Sequence, residues 1–197
     1  MLDAPLRIRL GPSLDRLASR LDARGVRPGA VTAAALAVGI GACVAAALAA
    51  WPAALALWLV NRVLDGLDGP LARRRGPTDL GGLLDFVADF VVYGGFVVGV
   101  ATAVPEARLA CCALLAAVLL NNVAQLSFAS LVEKRRLEFG DERSLRLTPG
   151  LTEGTETIVA YTAFCLLPSA AAVVAWVFAA LVMVTVAQRL AMARRVL

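Results

Sequence analysis

Long apolar stretches separated by short polar segments make up most of the chain, and the charged residues gather between these stretches. A helix needs about 20 apolar residues to cross a bilayer. The pattern therefore predicts an all-α integral membrane protein with six transmembrane helices. The predicted spans cover residues 30–50, 52–71, 80–104, 107–131, 157–167 and 170–192. The fifth span is the shortest, since only residues 158–167 are continuously apolar.

A different pattern occupies residues 1–27, where leucines recur at helical spacing with arginines between them. The leucines are Leu6, Leu10, Leu14, Leu17 and Leu21. This spacing predicts an amphipathic helix that lies on the cytoplasmic membrane surface with its arginines toward anionic headgroups. The alternative is a mobile basic tail. Gly11 and Pro12 are expected to interrupt the helix.

The basic residues predict how the chain is oriented. They precede the first predicted span, follow the second and fourth, and end the sixth, whereas Arg108 is the only basic residue on the opposite side. Cytoplasmic loops carry the excess of Lys and Arg. We therefore expect a multi-pass protein of the cell (inner) membrane with both termini in the cytoplasm. It would form one domain over residues 1–197, with the interfacial helix at 1–27 and the six-helix bundle at 30–192.

Composition agrees with this interpretation and narrows the chemistry. The chain is 60% hydrophobic and 17% charged, whereas soluble domains have about 45–50% apolar and about 25% charged residues. The net charge of +4 follows from the cytoplasmic arginines, so no nucleic-acid partner is expected. Because the chain has no histidine, histidine bases and Ser-His-Asp triads are excluded. Proton transfer would fall to carboxylates, lysine, tyrosine or cysteine.

Four carboxylates lie inside the second and third predicted spans. A carboxylate in hydrocarbon costs at least about 2.5 kcal/mol, so something must offset the charge. Asp65 and Asp68 are spaced i,i+3, and Asp85 and Asp89 are spaced i,i+4, so each pair shares one helix face. The two spans are predicted to be antiparallel neighbours, which would bring both pairs together near the cytoplasmic side.

A cage of carboxylate oxygens predicts bound divalent cations. All-oxygen ligation suits Mg²⁺, Mn²⁺ or Ca²⁺. Four carboxylates exceed what one Mg²⁺ needs, since that ion keeps several waters. Two bridged ions fit better, and two-metal sites stabilise the attacking and leaving oxygens of a phosphoryl displacement.

Glycines accompany the carboxylates and allow two interpretations. They are Gly66, Gly69, Gly81 and Gly82. Backbone without side chains can approach a pyrophosphate or a base, and Arg73, one turn beyond Gly69, could hold a phosphate. Small residues also let membrane helices pack closely.

The combined spacing resembles the signature of the CDP-alcohol phosphotransferase (CDP-alcohol phosphatidyltransferase) family at all eight fixed positions. In this sequence the signature reads Asp65-x2-Asp68-Gly69-x2-Ala72-Arg73-x7-Gly81-x3-Asp85-x3-Asp89. The resemblance implies six spans, an N-terminal cytoplasmic helix and, because the family is often dimeric, a homodimer. It also implies transfer of a phosphatidyl group from a CDP-alcohol, such as CDP-diacylglycerol, to an acceptor hydroxyl with release of CMP.

By the same resemblance, individual residues acquire expected roles. The binuclear site for two divalent cations, Mg²⁺ or Mn²⁺, corresponds to Asp65, Asp68, Asp85 and Asp89. Asp89 corresponds to the base that takes the proton of the acceptor hydroxyl. The CDP pocket corresponds to Asp68, Gly69, Ala72, Arg73 and Gly81. The sequence departs from the family at Gly29, where members often carry asparagine.

The sequence leaves the acceptor alcohol open among glycerol phosphate, inositol phosphate, serine and choline. A phosphate on the acceptor would need basic partners, and an amine would need acidic ones. The polar residues of the later spans and loops that could serve are Asn121, Asn122, Gln125, Lys134, Arg135, Arg136, Glu153, Glu156, Gln188 and Arg189. For the asparagines, interhelical hydrogen bonding is the alternative role.

A divalent-cation or proton-coupled transporter is the rival interpretation, because intramembrane carboxylates are typical of transporters too. The carboxylates gather near one membrane face, however, and no inverted repeat is evident. We therefore favour the enzyme.

Overall fold

The computed structural model describes residues 3–136, 151–152 and 154–197, which are helical almost throughout and include no β-strand. There are seven α-helices in this part of the chain. They are α1 (Asp3–Ala23), α2 (Pro28–Ala47), α3 (Trp51–Arg75), α4 (Asp79–Ala103), α5 (Arg108–Lys134), α6 (Gly154–Leu166) and α7 (Ala171–Val196). Single 3₁₀ turns at Pro105–Ala107 and Pro168–Ala170 lead into α5 and α7.

Four of these helices are long and apolar enough to cross a membrane: α2, α4, α5 with its leading turn, and α7 with its leading turn. The predicted all-helical class is therefore confirmed, together with four candidate spans. The other two predicted spans correspond to α3, whose second half carries many charges, and α6, which has 13 residues.

A short connection joins α3 to α4 and fixes the ends of both helices. α3 ends where Gly76 adopts φ +88°, a conformation that glycine reaches without steric cost. Thr78 caps α4, since its Oγ1 accepts a hydrogen bond from the Gly81 backbone N–H at 3.1 Å. With only residues 76–78 between the helices, the charged end of α3 and the acidic start of α4 lie on the same side of the bundle.

Helix α2 packs against both α3 and α4, whereas α3 and α4 contact each other little through their backbones. This differs from the expectation that the second and third spans are direct neighbours. The reason is the small side chains of α2, which let both helices approach it closely. Asn61 of α3 donates to the Ala35 carbonyl at 2.8 Å, and a Cβ added to Gly99 of α4 would lie 2.6 Å from the Cys43 carbonyl oxygen.

An aromatic core connects α6 to this group. Trp58 of α3, fully buried, stacks on Tyr161 of α6 with ring centroids 4.9 Å apart. The Tyr161 hydroxyl donates to the Tyr93 carbonyl of α4 at 3.0 Å, which satisfies a polar group in a buried position. Phe96 and Phe164 pack around the same rings.

Helix α1 continues through Pro12, so the predicted interruption there is wrong. Its later turns pack on α3: Ala18 is buried together with Leu67 and Leu71, and Leu14 joins this cluster. Part of the leucine stripe therefore contacts protein. Arg75 at the end of α3 also donates to Asp22 at 2.6 Å.

We expect Gly99→Ala to destabilise the protein, because the new methyl group would meet the α2 backbone and overpacking of this kind costs about 1–3 kcal/mol. Gly94→Ala on the same helix is the matched control, since a Cβ there meets nothing within 4 Å. Melting temperatures of both variants in detergent would check this. Equal shifts would contradict the close α2–α4 contact.

Candidate functional site

Three of the four signature aspartates meet at one point. Asp65 and Asp68 project from the second half of α3, and Asp85 projects from the first half of α4. One carboxylate oxygen from each lies within 4.8 Å of the others. The two helices thus turn their acidic faces toward each other, as the sequence spacing predicts.

The surroundings of this group are mostly protein. Asp68 is only 6% exposed, while Asp65 and Asp85 are half-buried. Thr32 of α2 donates its hydroxyl hydrogen to Asp68 at 3.3 Å. Such a hydrogen bond favours a charged carboxylate, but it offsets only part of the repulsion among three acidic groups.

The fourth aspartate, Asp89, has a different partner. Its carboxyl group adjoins that of Asp65, and its Oδ1 accepts a hydrogen bond from Arg62 Nη2 at 2.9 Å. Arg62 Nη1 also lies 3.5 Å from Asp65 Oδ2. Asp89 therefore lies at the edge of the acidic group and forms an ion pair with the buried guanidinium of Arg62.

Arg62 is the main site residue that the sequence analysis did not assign. A signal was present, since an arginine inside an apolar run is as costly as an aspartate there. It precedes Asp65 by three positions, so it lies on the same helix face.

The carboxylates border a small cleft among α2, α3 and α4. Its polar lining includes Thr32, Asn61, Asp65, Asp85 and Asp89. A divalent cation binds oxygens at about 2.0–2.6 Å, so ligands on opposite sides of one ion lie up to about 4–5 Å apart. The 4.8 Å spread of the three carboxylates therefore fits bound divalent cations.

The signature glycines take different positions. A Cβ at Gly69 would approach, among the described residues, only Arg73 Nη1 of the same helix, at 3.5 Å. Close packing against another helix therefore does not explain Gly69. A Cβ at Gly81 would lie 2.9 Å from Thr78 Oγ1, so Gly81 leaves room for the cap of α4. Ala72 is half-buried and Arg73 is exposed beside them.

The polar residues proposed for the acceptor lie mostly on α5 and α7. Arg189 is 7% exposed and donates from Nη1 to Asn121 Oδ1 at 2.6 Å. Gln188 accepts a hydrogen bond from the Leu151 backbone N–H at 3.1 Å. Gln125 is buried, Asn122 and Glu156 are half-buried, and Lys134, Arg135 and Arg136 are exposed. Glu153 lies outside the described residues.

Comparison with known proteins gives three findings. The family model for CDP-alcohol phosphatidyltransferase matches residues 26–187. Inner membrane protein YnjF of Escherichia coli (strain K12) is 40% identical over 188 residues, which cover 94% of this chain and 91% of that protein.

The fold also matches crystal structures of Mycobacterium tuberculosis phosphatidylinositol phosphate synthase (PgsA1). The structure with CDP-DAG bound has a TM-score of 0.71 and 21% identity, covering 91% of this chain and 92% of that one. The complex with manganese and citrate has a TM-score of 0.71 and 21% identity, covering 92% and 88% of the two chains.

We expect Asp85→Asn to weaken Mn²⁺ binding at least about tenfold, since a carboxylate of the predicted cation site would lose its charge. Asp79→Asn is the matched control, because Asp79 is exposed in the first turn of the same helix. Electron paramagnetic resonance of free Mn²⁺, titrated against purified protein, would measure both. Equal affinity of Asp85→Asn and wild type would contradict the assignment.

Proposed function

Because the chain belongs to the CDP-alcohol phosphatidyltransferase family, we propose that it transfers a phosphatidyl group from CDP-diacylglycerol to the hydroxyl of a small polar acceptor and releases CMP. The observation that carries the proposal is the convergence of Asp65, Asp68 and Asp85 from two helices, on the side that the proposed topology makes cytoplasmic. A phosphoryl transfer between a lipid and a water-soluble alcohol needs its charged site at such a depth.

Two divalent cations, Mg²⁺ or Mn²⁺, are proposed to bind at the four aspartates of the signature. When bound, they would stabilise the negative charge of the pyrophosphate and of the attacking and leaving oxygens. The protein supplies the carboxylate oxygens from two helices and the Thr32 hydroxyl that orients Asp68. This arrangement is preorganised, since the connection 76–78 fixes both helix ends.

The CDP moiety is proposed to bind along the carboxyl-terminal half of α3, beside the carboxylates. Gly69 and Ala72 present little side chain there, so a nucleotide can approach the helix backbone. Arg73, one turn beyond Gly69, is proposed to bind a phosphate oxygen. Asp68 and Gly81 would complete the pocket.

Asp89 is proposed to take the proton of the acceptor hydroxyl. The hydroxyl oxygen then attacks the phosphorus that carries the diacylglycerol, and the bond from that phosphorus to the CMP oxygen breaks. The chain has no histidine for this role. Asp89 suits it because it lies at the edge of the acidic group, with Arg62 as its partner.

Two acceptor classes fit the residues on the cytoplasmic side. A phosphate-bearing alcohol such as glycerol phosphate or inositol phosphate would be bound by Lys134, Arg135, Arg136 or Arg189. An amine-bearing alcohol such as serine or choline would be bound by Glu156 or Glu153. The buried Arg189–Asn121 pair favours the phosphate-bearing class, since a guanidinium can donate hydrogen bonds to two phosphate oxygens at once.

We also propose that α3 and α6 cross the membrane, which would make six spans with both termini cytoplasmic. The first half of α3 is apolar, and its charges gather in the second half. The aromatic rings of α6 are buried against α3 and α4. α1 is proposed to lie at the cytoplasmic surface, packed on α3, and the protein is proposed to form a homodimer.

Purified protein is expected to release CMP from CDP-diacylglycerol when Mg²⁺ or Mn²⁺ and the correct acceptor are present. Asp89→Asn should lower the rate about 10²–10⁴-fold, the usual contribution of a general base. Asp79→Asn is the control.

A panel of the four acceptor alcohols, with the lipid product as the readout, would identify the acceptor. Ion flux into liposomes without nucleotide, and no CMP release, would favour a transporter instead.

Reporter fusions test the proposed topology. Green fluorescent protein fused after Leu197 should fluoresce in a bacterial host, and alkaline phosphatase fused there should be inactive. Alkaline phosphatase fused after Glu106 should be active, because the proposed topology puts that turn on the opposite side. An active phosphatase at both positions would contradict six spans.

A further inference from the structure

Every hydrogen-bond donor of the Arg62 side chain is directed at a protein acceptor. A guanidinium has five N–H groups, and each has an acceptor here. Nε and Nη2 both donate to Asn61 Oδ1, at 2.8 and 2.6 Å. The second Nη2 hydrogen goes to Asp89, and Nη1 donates to the Tyr93 hydroxyl and to Asp65.

Two aromatic rings lie beside the same group. The guanidinium carbon lies 4.8 Å from the ring centroids of both Trp58 and Tyr93. This distance is within the range in which a cation is attracted to an aromatic face. Only 7% of the Arg62 side chain is exposed, so water competes little for these contacts.

Asn61 connects this arrangement to α2. Its amide nitrogen donates to the Ala35 carbonyl at 2.8 Å, while its amide oxygen accepts from Arg62. Three helices are therefore connected to one guanidinium. Arg62 itself belongs to α3, α4 contacts it through Tyr93 and Asp89, and α2 is connected to it through Asn61.

We propose that Arg62 is a positioning residue that holds the Asp89 carboxylate at the edge of the acidic group and cancels one negative charge there. Asp65, Asp68 and Asp85 then form the inner cation site, and Asp89 keeps an oxygen directed at the acceptor hydroxyl. This inference rests on the proposed function, in which Asp89 is the base. It assigns no substrate contact to Arg62, because all five N–H groups already have protein acceptors.

The proposal predicts effects of opposite sign on two measurable quantities. Removing the guanidinium charge makes the cleft more negative, so divalent cations should bind more tightly. Removing its hydrogen bonds frees Asp89 from its position, and misplacement of a catalytic group by about 1 Å can lower the rate about 10²-fold. A residue that only supports the fold would weaken cation binding and activity together when it is replaced.

The test measures Mn²⁺ affinity by electron paramagnetic resonance and kcat for CMP release, using the full-length protein. Arg62→Gln should bind Mn²⁺ at least about tenfold more tightly and lose about 10²-fold in kcat. Arg62→Lys keeps the charge and loses the planar fork. It should bind Mn²⁺ within about threefold of wild type and have a kcat between those of wild type and Arg62→Gln.

Arg108→Gln is the matched control, since Arg108 lies at the start of α5 and donates to the Ala101 carbonyl, away from the carboxylates. It should leave both quantities unchanged. Weaker or equal Mn²⁺ binding by Arg62→Gln, or a wild-type kcat, would overturn the role of Arg62. If Arg62→Gln does not fold, an unchanged kcat of Arg62→Lys would overturn it, and a lowered kcat with retained Mn²⁺ affinity would support it.

The proposed function fails separately, if wild-type protein releases no CMP with any acceptor. The Mn²⁺ measurements do not depend on turnover, so they would still report whether Arg62 weakens cation binding.

Discussion

Mutual repulsion among the aspartates of α3 and α4 is the constraint on which the site depends. Carboxylates this close destabilise the folded protein unless cations or hydrogen-bond donors offset their charge, and the low dielectric of the surroundings strengthens the effect. The protein supplies some of the compensation itself, through Thr32 and Arg62. The proposed divalent cations would offset the remainder. The same repulsion among carboxylates thus lowers the stability of the folded protein and favours the binding of cations.

The side chains around Arg62 show how neighbouring protein groups hold a charged side chain that is only 7% exposed. Rings from α3 and α4 lie beside the guanidinium, and an amide from α3 both accepts from it and donates to α2. Trp58 also stacks on Tyr161 of α6. Only Trp58 and Arg62 therefore lie between Tyr161 of α6 and the acidic group.

Much of this architecture follows from the sequence, because helices produce periodic patterns and charged residues in an apolar segment cost free energy. Apolar length marks each helix, and i,i+3 and i,i+4 spacing places the paired aspartates on facing surfaces. Two features were not accessible in this way. The position of α2 between α3 and α4 depends on how closely small residues such as Ala35 and Gly39 let backbones approach, which spacing alone does not encode. The role of Arg62 depends on Tyr93 and Asp89 of α4, whereas a linear pattern shows only its partners on its own helix.

The placement of α2 has a consequence for how such a site can change. α2 contributes a single hydroxyl to the carboxylates, yet its backbone sets the separation of the two helices that carry them. Each methyl group gained or lost on its inner surface would widen or narrow the cleft by a fraction of an ångström. Its alanines and glycines therefore act as a spacer between α3 and α4, so substitutions on α2 would change the width of the cleft without replacing any of the carboxylates.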